Sequence, residues 1–131
     1  MTCHSSGVPS PRQLRGAVAY RSGALAEEQV AARYIAEGYV PCAQRWRGQW
    51  GEIDLIFQRG ACTVFVEVKK STSHHSAALR LNRRQMDRIC ATALDFCATL
   101  PDGLLSEMRF DLAMVDALGR IDVLENAFGE A

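Results

Sequence analysis

Two short segments, Gly51-Glu52-Ile53-Asp54-Leu55-Ile56 and Val64-Phe65-Val66-Glu67-Val68-Lys69, have the β-branched and aromatic content of strands yet carry ionisable side chains within them. A charge removed from water is costly unless it is paired or bound to a metal. The pattern therefore constrains both the local fold and what must meet the charges. Between the segments, Gly60-Ala61 fits a two-residue type II′ hairpin turn, which takes glycine first. That turn, or a four-residue loop over 59–62, sets Arg59 opposite Cys62, Phe57 opposite Val64, Asp54 opposite Glu67 and Glu52 opposite Lys69. Odd loop lengths, or a loop over 58–61, would shift the register.

Side chains alternate along a strand. Val64, Val66 and Val68 are expected on one face, with Phe65, Glu67 and Lys69 on the other. In the first strand Ile53, Leu55 and Phe57 are expected together, opposite Glu52, Asp54 and Ile56. Directly opposed side chains have Cβ atoms roughly 4.5–5.5 Å apart, and like charges so placed repel. A divalent cation between Asp54 and Glu67 would remove that repulsion. Mg²⁺ suits such a place, because it is held by one or two carboxylates plus waters and phosphate oxygens. Lys69 could contact a scissile phosphate, orient a water or act as a base. The plainer alternative is a cross-strand Glu52–Lys69 salt bridge, with Asp54 and Glu67 solvated at a sheet end.

A third acid sits on a predicted helix over about Gly23 to Glu37. Ala26, Val30, Ala31 and Tyr34 form its apolar face, and Glu27 falls on that face. Glu28, Gln29 and Arg33 fall on the solvated side. A glutamate turned to the core needs a partner. Either a metal site or Lys69 could serve, or Glu27 could simply favour the helix N-terminus. Gly38 supplies the stop signal.

These residues resemble the YraN family of small bacterial proteins. The resemblance rests on Gly23-x-x-Ala26-Glu27, Ala31-x-x-Tyr34-Ile35, Gly38-Tyr39, the two strand motifs, Arg109-Phe110-Asp111 and Asn126-Ala127-Phe128, in that order. That family is described as endonuclease-like, related to archaeal Holliday-junction resolvases within the PD-(D/E)XK nuclease superfamily. The resemblance implies an α/β fold with a restriction-endonuclease-like core, order αβββαβ, in which helices flank a central mixed sheet. It implies Asp54, Glu67 and Glu27 as ligands of Mg²⁺ or Mn²⁺, with Lys69 as the catalytic amine and DNA as the partner. By analogy with related resolvases it implies a homodimer. The chain departs from the family at Arg45, where Asn is frequent, and at Gln85, where Lys is frequent. Related nucleases sometimes carry Gln at the latter position.

The 131 residues suit one domain over 21–131. Residues 1–20 lack the apolar stretch of a signal peptide and are expected to form a loose tail. No apolar run is long enough to span a bilayer, so a cytoplasmic location without membrane contact is expected. The five cysteines, with no Cys-x-x-Cys, indicate neither a disulfide framework nor zinc. His74 and His75, being adjacent, are poorly placed to chelate together. Net charge is zero, from 15 basic and 15 acidic residues, but residues 1–90 carry +6 and residues 91–131 carry −6. Lys69, Lys70, Arg80, Arg83, Arg84 and Arg88 follow the proposed site and could track a nucleic-acid backbone. Interleaved Asp87 equally suits a solvated helix face.

Elsewhere, a first strand is expected over 39–47, with Pro41 indicating an edge position or a later start. The segment 71–78 is polar and expected as a loop. An amphipathic helix over about Asn82 to Leu100 turns Met86, Ile89, Cys90, Ala93, Phe96, Cys97 and Leu100 inward. Met108, Phe110, Leu112 and Met114 alternate as a strand, and Leu118-Gly119 turns toward a last strand over 121–124. Trp46 and Trp50 could pack beneath the sheet or stack on an exposed base.

Overall fold

The computed structural model describes residues 11–70 and 82–128, with side chains from residue 23 onward except at Leu104. The expectations for His74, His75, Arg80 and the 71–78 loop lie outside the described residues. In chain order the elements are α1 (Pro11–Ala36), β1 (Val40–Arg47), β2 (Glu52–Arg59), β3 (Cys62–Lys70), α2 (Arg83–Cys97), a short 3₁₀ turn (Gly103–Leu105), β4 (Glu107–Val115) and β5 (Ile121–Leu124). The first helix starts at Pro11, earlier than Gly23, and takes in half of the stretch expected as a tail. Proline is favoured at a first helical position, and the Leu, Arg and Ala residues that follow are good helix formers. The helix ends where Gly38 adopts φ +95°, with Tyr39 N–H donating to the Tyr34 carbonyl at 3.1 Å.

The strands form one mixed sheet in the order β1-β2-β3-β4-β5. β1, β2 and β3 run as an antiparallel meander, β3 and β4 are parallel, and β4 and β5 form an antiparallel hairpin. The β2–β3 register is the one the turn requires, with Arg59 opposite Cys62 and Phe57 opposite Val64. Gly60 sits at φ +59° while Ala61 stays out of the positive region, as a type II′ turn demands. α1 covers one sheet face, packing Ala26, Val30 and Tyr34 on Leu55, Phe57, Val64 and Val66. α2 covers the other, packing Ile89, Ala93, Phe96 and Cys97 on Ile53, Ile56, Phe65 and Phe110.

Strict alternation fails around Arg45 and Asp54. Ile53 packs with Ile56 on the α2 side, away from Leu55 and Phe57. Ala43 and Trp46 of the neighbouring strand likewise both pack on the α2 side. Between them, in the position facing Asp54, Arg45 has φ +51°. This left-handed residue turns the alternation of β1 by one place with no residue inserted, and β2, paired with it one to one, follows; the register shift of β1 itself lies between Pro41 and Ala43. Trp46 is thereby placed edge-on to Phe96 at 5.3 Å, beneath the sheet.

The α1 face of β4 holds a buried ionic knot. Fully buried Asp111 accepts from Tyr34 Oη (2.6 Å), Arg109 Nε (2.9 Å), Arg109 Nη2 (2.7 Å) and the Asn126 backbone N–H (2.9 Å). Arg109 also donates to Tyr39 Oη at 2.8 Å. Every acceptor site of a buried carboxylate is expensive to leave empty, and four donors fill this one. Asn126 takes φ +51°, a conformation asparagine tolerates, and Phe128 then packs on Phe110 at 5.4 Å.

Candidate functional site

The paired part of β2 and β3 ends at Leu55 opposite Val66. Beyond it the strands part, and the Asp54 carboxylate enters the gap. Its Oδ2 accepts from the Val68 backbone N–H at 2.8 Å, taking a donor that a regular ladder would have given to a carbonyl. The half-buried Asp54 carboxyl is pushed up to about 7, by burial first and by the neighbouring negative Glu67 second, against the pull of the Val68 N–H and Lys69. Two acids are thus pressed together at a splayed sheet end, and their repulsion is registered in the higher affinity of one for a proton.

Glu67 is 6% exposed. Its Oε2 accepts from Gln85 Nε2 at 2.7 Å and lies 3.0 Å from Lys69 Nζ. Gln85 is positioned by the start of α2, where the Asn82 side chain caps the helix by accepting from the Gln85 backbone N–H at 2.9 Å. The cross-strand Glu52–Lys69 bridge does not form. Parting of the strands separates that pair, so Lys69 turns to Glu67 and Glu52 meets Arg47 at 3.5 Å near the surface.

Glu27 is buried, as its place on the apolar helix face requires, but its partner is Arg45. Arg45 Nε donates to Glu27 Oε1 at 2.8 Å. Burial still raises the Glu27 carboxyl above the ordinary range, with the Arg45 guanidinium pulling the other way and Asp54 adding to the rise. Among the described residues, no three or more His, Cys, Asp or Glu side chains are gathered as a metal-ion cage. The structure therefore brings Asp54, Glu67 and Lys69 together, while Glu27 stands beside them in the grip of a guanidinium. The residue that the strand and helix patterns overlooked is Arg45.

The donor set that remains is two carboxylates. That is sufficient for Mg²⁺ or Mn²⁺, which take hard oxygen ligands and complete their shell with water and phosphate. The raised Asp54 is the observation that favours a fit: a cation between the two acids would relieve the repulsion. Next to Glu67 lies a cavity of about 130 Å³ lined by Gly51, Glu52, Glu67, Gln85, Arg88 and Ile89. Of the basic residues proposed for backbone contact, Lys70, Arg83, Arg84 and Arg88 are all exposed, and Arg83 pairs with Asp87 at 3.2 Å. Only Arg88 of these lines the cavity.

The β1–β2 turn over Gly48–Gly51 closes one side of this region. Gly48 N–H donates to the Gly51 carbonyl at 2.8 Å, and Gln49 N–H donates to Asp95 Oδ2 of α2 at 3.0 Å. A Cβ on Gly48 would lie 2.9 Å from Trp46 and 3.0 Å from Asp95 and Thr92. Trp50, at the tip, is 55% exposed, whereas Trp46 is packed inward. No described helix is long and apolar enough to cross a membrane.

Comparison with known proteins gives one consistent answer. The model of the uncharacterised protein family UPF0102 matches residues 26–115. A UPF0102 protein of Cereibacter sphaeroides strain KD131 is 56% identical over 115 residues, covering 88% of this chain and 98% of that protein. A UPF0102 protein of Roseobacter denitrificans is 53% identical over 88% of this chain and 89% of its own length. One from Ruegeria pomeroyi is 49% identical, with 88% and 94% covered.

Proposed function

The chain belongs to the uncharacterised protein family UPF0102, and we propose that this member is a Mg²⁺- or Mn²⁺-dependent nuclease with a restriction-endonuclease-like core. Its substrate is DNA, in branched or damaged form. The observation that carries this reading is the Asp54–Glu67 pair with Lys69 Nζ 3.0 Å from Glu67. The order α1, three antiparallel strands, α2 and a parallel fourth strand supports the proposed core.

Asp54 and Glu67 would hold the cation, and Glu27, whose Oε1 accepts from Arg45, could join them through its other oxygen. When bound, the cation stabilises charge developing on the phosphate and makes water more acidic. The protein's own groups do the rest. The Val68 N–H fixes Asp54, and Gln85 fixes Glu67. Lys69, half-buried beside Glu67, can donate to a phosphate oxygen or to the attacking water, or take a proton from that water. Arg88, across the cavity, can contact a flanking phosphate.

The Arg45–Glu27 pair favours a second reading, a nucleic-acid-binding or assembly protein that keeps the site without catalysis. Titrating Mn²⁺ into wild type and Asp54→Ala by calorimetry, alongside cleavage of plasmid, linear and four-way-junction DNA, separates the two. The nuclease reading expects Mn²⁺ binding and cleavage that Asp54→Ala abolishes. Absence of cleavage by wild type, or cleavage equal in the variant, sinks it. Salt-sensitive DNA binding that survives Asp54→Ala and Lys69→Ala without metal dependence establishes the alternative.

A further inference from the structure

We propose that Trp50 is a stacking platform for an unpaired base next to the scissile phosphate, so that the preferred substrate has single-stranded or splayed bases at the cleavage point. The inference rests on the phosphodiester reading of the carboxylate site and adds to it the residue that selects substrate form. A lone exposed apolar side chain means little by itself, since such residues are common on protein surfaces. The surroundings of Trp50 distinguish it. Its turn is closed by the Gly48–Gly51 hydrogen bond and tied to α2 through Gln49 N–H and Asp95. Gly48 packs so tightly on Trp46, Asp95 and Thr92 that a methyl group does not fit. The tip is therefore held on the helix that also supplies Gln85 and Arg88 to the site.

Gly51, the next residue after Trp50, lines the cavity together with Glu67 and Arg88. One short path thus presents an exposed indole, a phosphate-binding guanidinium and a carboxylate of the proposed metal pair. A nucleotide presents the same sequence of chemistry, a flat base joined to an anionic phosphate. In a closed duplex the base faces are already covered by neighbouring base pairs. An exposed indole on the residue next to the cavity lining therefore gains contact only where a base is unstacked, and base–aromatic stacking is largely indifferent to sequence. The preference expected is one for DNA form and not for base identity.

The test uses the full chain in chelator, so that binding is read without cleavage. Oligodeoxynucleotides of equal length carry 2-aminopurine at the branch of a splayed fork, in a single strand, or within a closed duplex. Wild type is expected to bind fork and single strand more tightly than duplex and to quench the probe. Trp50→Ala is expected to lose about tenfold in fork affinity and lose the quenching, with duplex affinity unchanged. Trp50→Phe is expected to keep most of both. Because Trp50 is on the surface, neither variant should disturb the thermal transition. Equal loss on fork and duplex, or no loss on the fork, overturns the stacking role. Absence of binding to any DNA overturns this role, while the nuclease reading falls only if cleavage is also absent in Mn²⁺. Discrimination that depends on Trp50 without cleavage in Mn²⁺ supports the platform while removing the nuclease reading.

Discussion

Asp54→Asn should make the metal-free protein more stable at alkaline pH, although it removes a proposed catalytic group. The Asp54 carboxyl titrates near 7 in the folded chain against an ordinary value of 3.8. A carboxyl raised on folding favours the folded state below its unfolded value, and that contribution is lost as pH climbs through about 7. At about 1.4 kcal/mol per pH unit, the charged form costs roughly 4 kcal/mol by pH 8. Asparagine keeps an oxygen for the Val68 N–H and removes the charge, but its amide still needs hydration or a partner. A net gain of about 2 kcal/mol is therefore expected. With unfolding entropy near 2.1 cal/mol/K per residue, that gain raises Tm by roughly 7 °C for a chain of this size. Calorimetric melting in chelator at pH 8 and pH 4 measures it. At pH 4 the two proteins should melt within about 2 °C of each other, because Asp54 is protonated in the folded wild type. Adding Mn²⁺ at pH 8 should close the gap by stabilising only the wild type. A variant no more stable at pH 8, or stabilised equally at both pH values, would refute the cost assigned to the charged Asp54 by its burial and by Glu67.

Arg45→Asn relieves a left-handed backbone costing about 1–2 kcal/mol but removes a charge-assisted hydrogen bond to Glu27 of about 1.5–3 kcal/mol. Urea midpoints should show a net loss of about 1 kcal/mol, and Arg45→Ala, which retains the backbone strain, should lose about 1 kcal/mol more. Asp111→Ala leaves the Arg109 guanidinium and the Tyr34 hydroxyl without their shared partner, and should cost about 3–5 kcal/mol in urea denaturation at pH 7. Gly48→Ala forces its neighbours apart and should cost about 1–3 kcal/mol, read the same way.

The hairpin register was legible because a two-residue turn and a period of two leave few choices, and both hold from Leu55 to Val66. The apolar faces of both helices were legible for the same reason, since 3.6-residue periodicity is set by burial. What escaped was controlled by a single torsion. Periodic reasoning assumes regular backbone, so it placed Ile53 with Leu55 and could not foresee Arg45 at φ +51°. The need of Glu27 for a partner could be read from its place on the helix, but not which partner, because Arg45 reaches it from a different strand. Asp111 was passed over because the alternation of Met108, Phe110, Leu112 and Met114 suggested one buried face. In a sheet covered by helices on both sides, the other face is buried too. Trp46 and Trp50 were equivalent on paper, and the left-handed Arg45 before one and the tight turn at Gly48 between them separate an inward from an outward indole.

The way Asp111 is satisfied has a consequence for how the chain is made. Its donors span the molecule: Tyr34 lies 77 residues upstream and Asn126 lies 15 residues downstream. At about 5–20 residues per second, a ribosome needs roughly 5–20 s to travel from one donor to the other. During that interval a nascent chain that collapsed early would bury an acid lacking part of its complement. Helix and first hairpin can form while translation proceeds, yet their final docking has to wait for the closing segment, and the emerging intermediate is where chaperones would find exposed apolar surface.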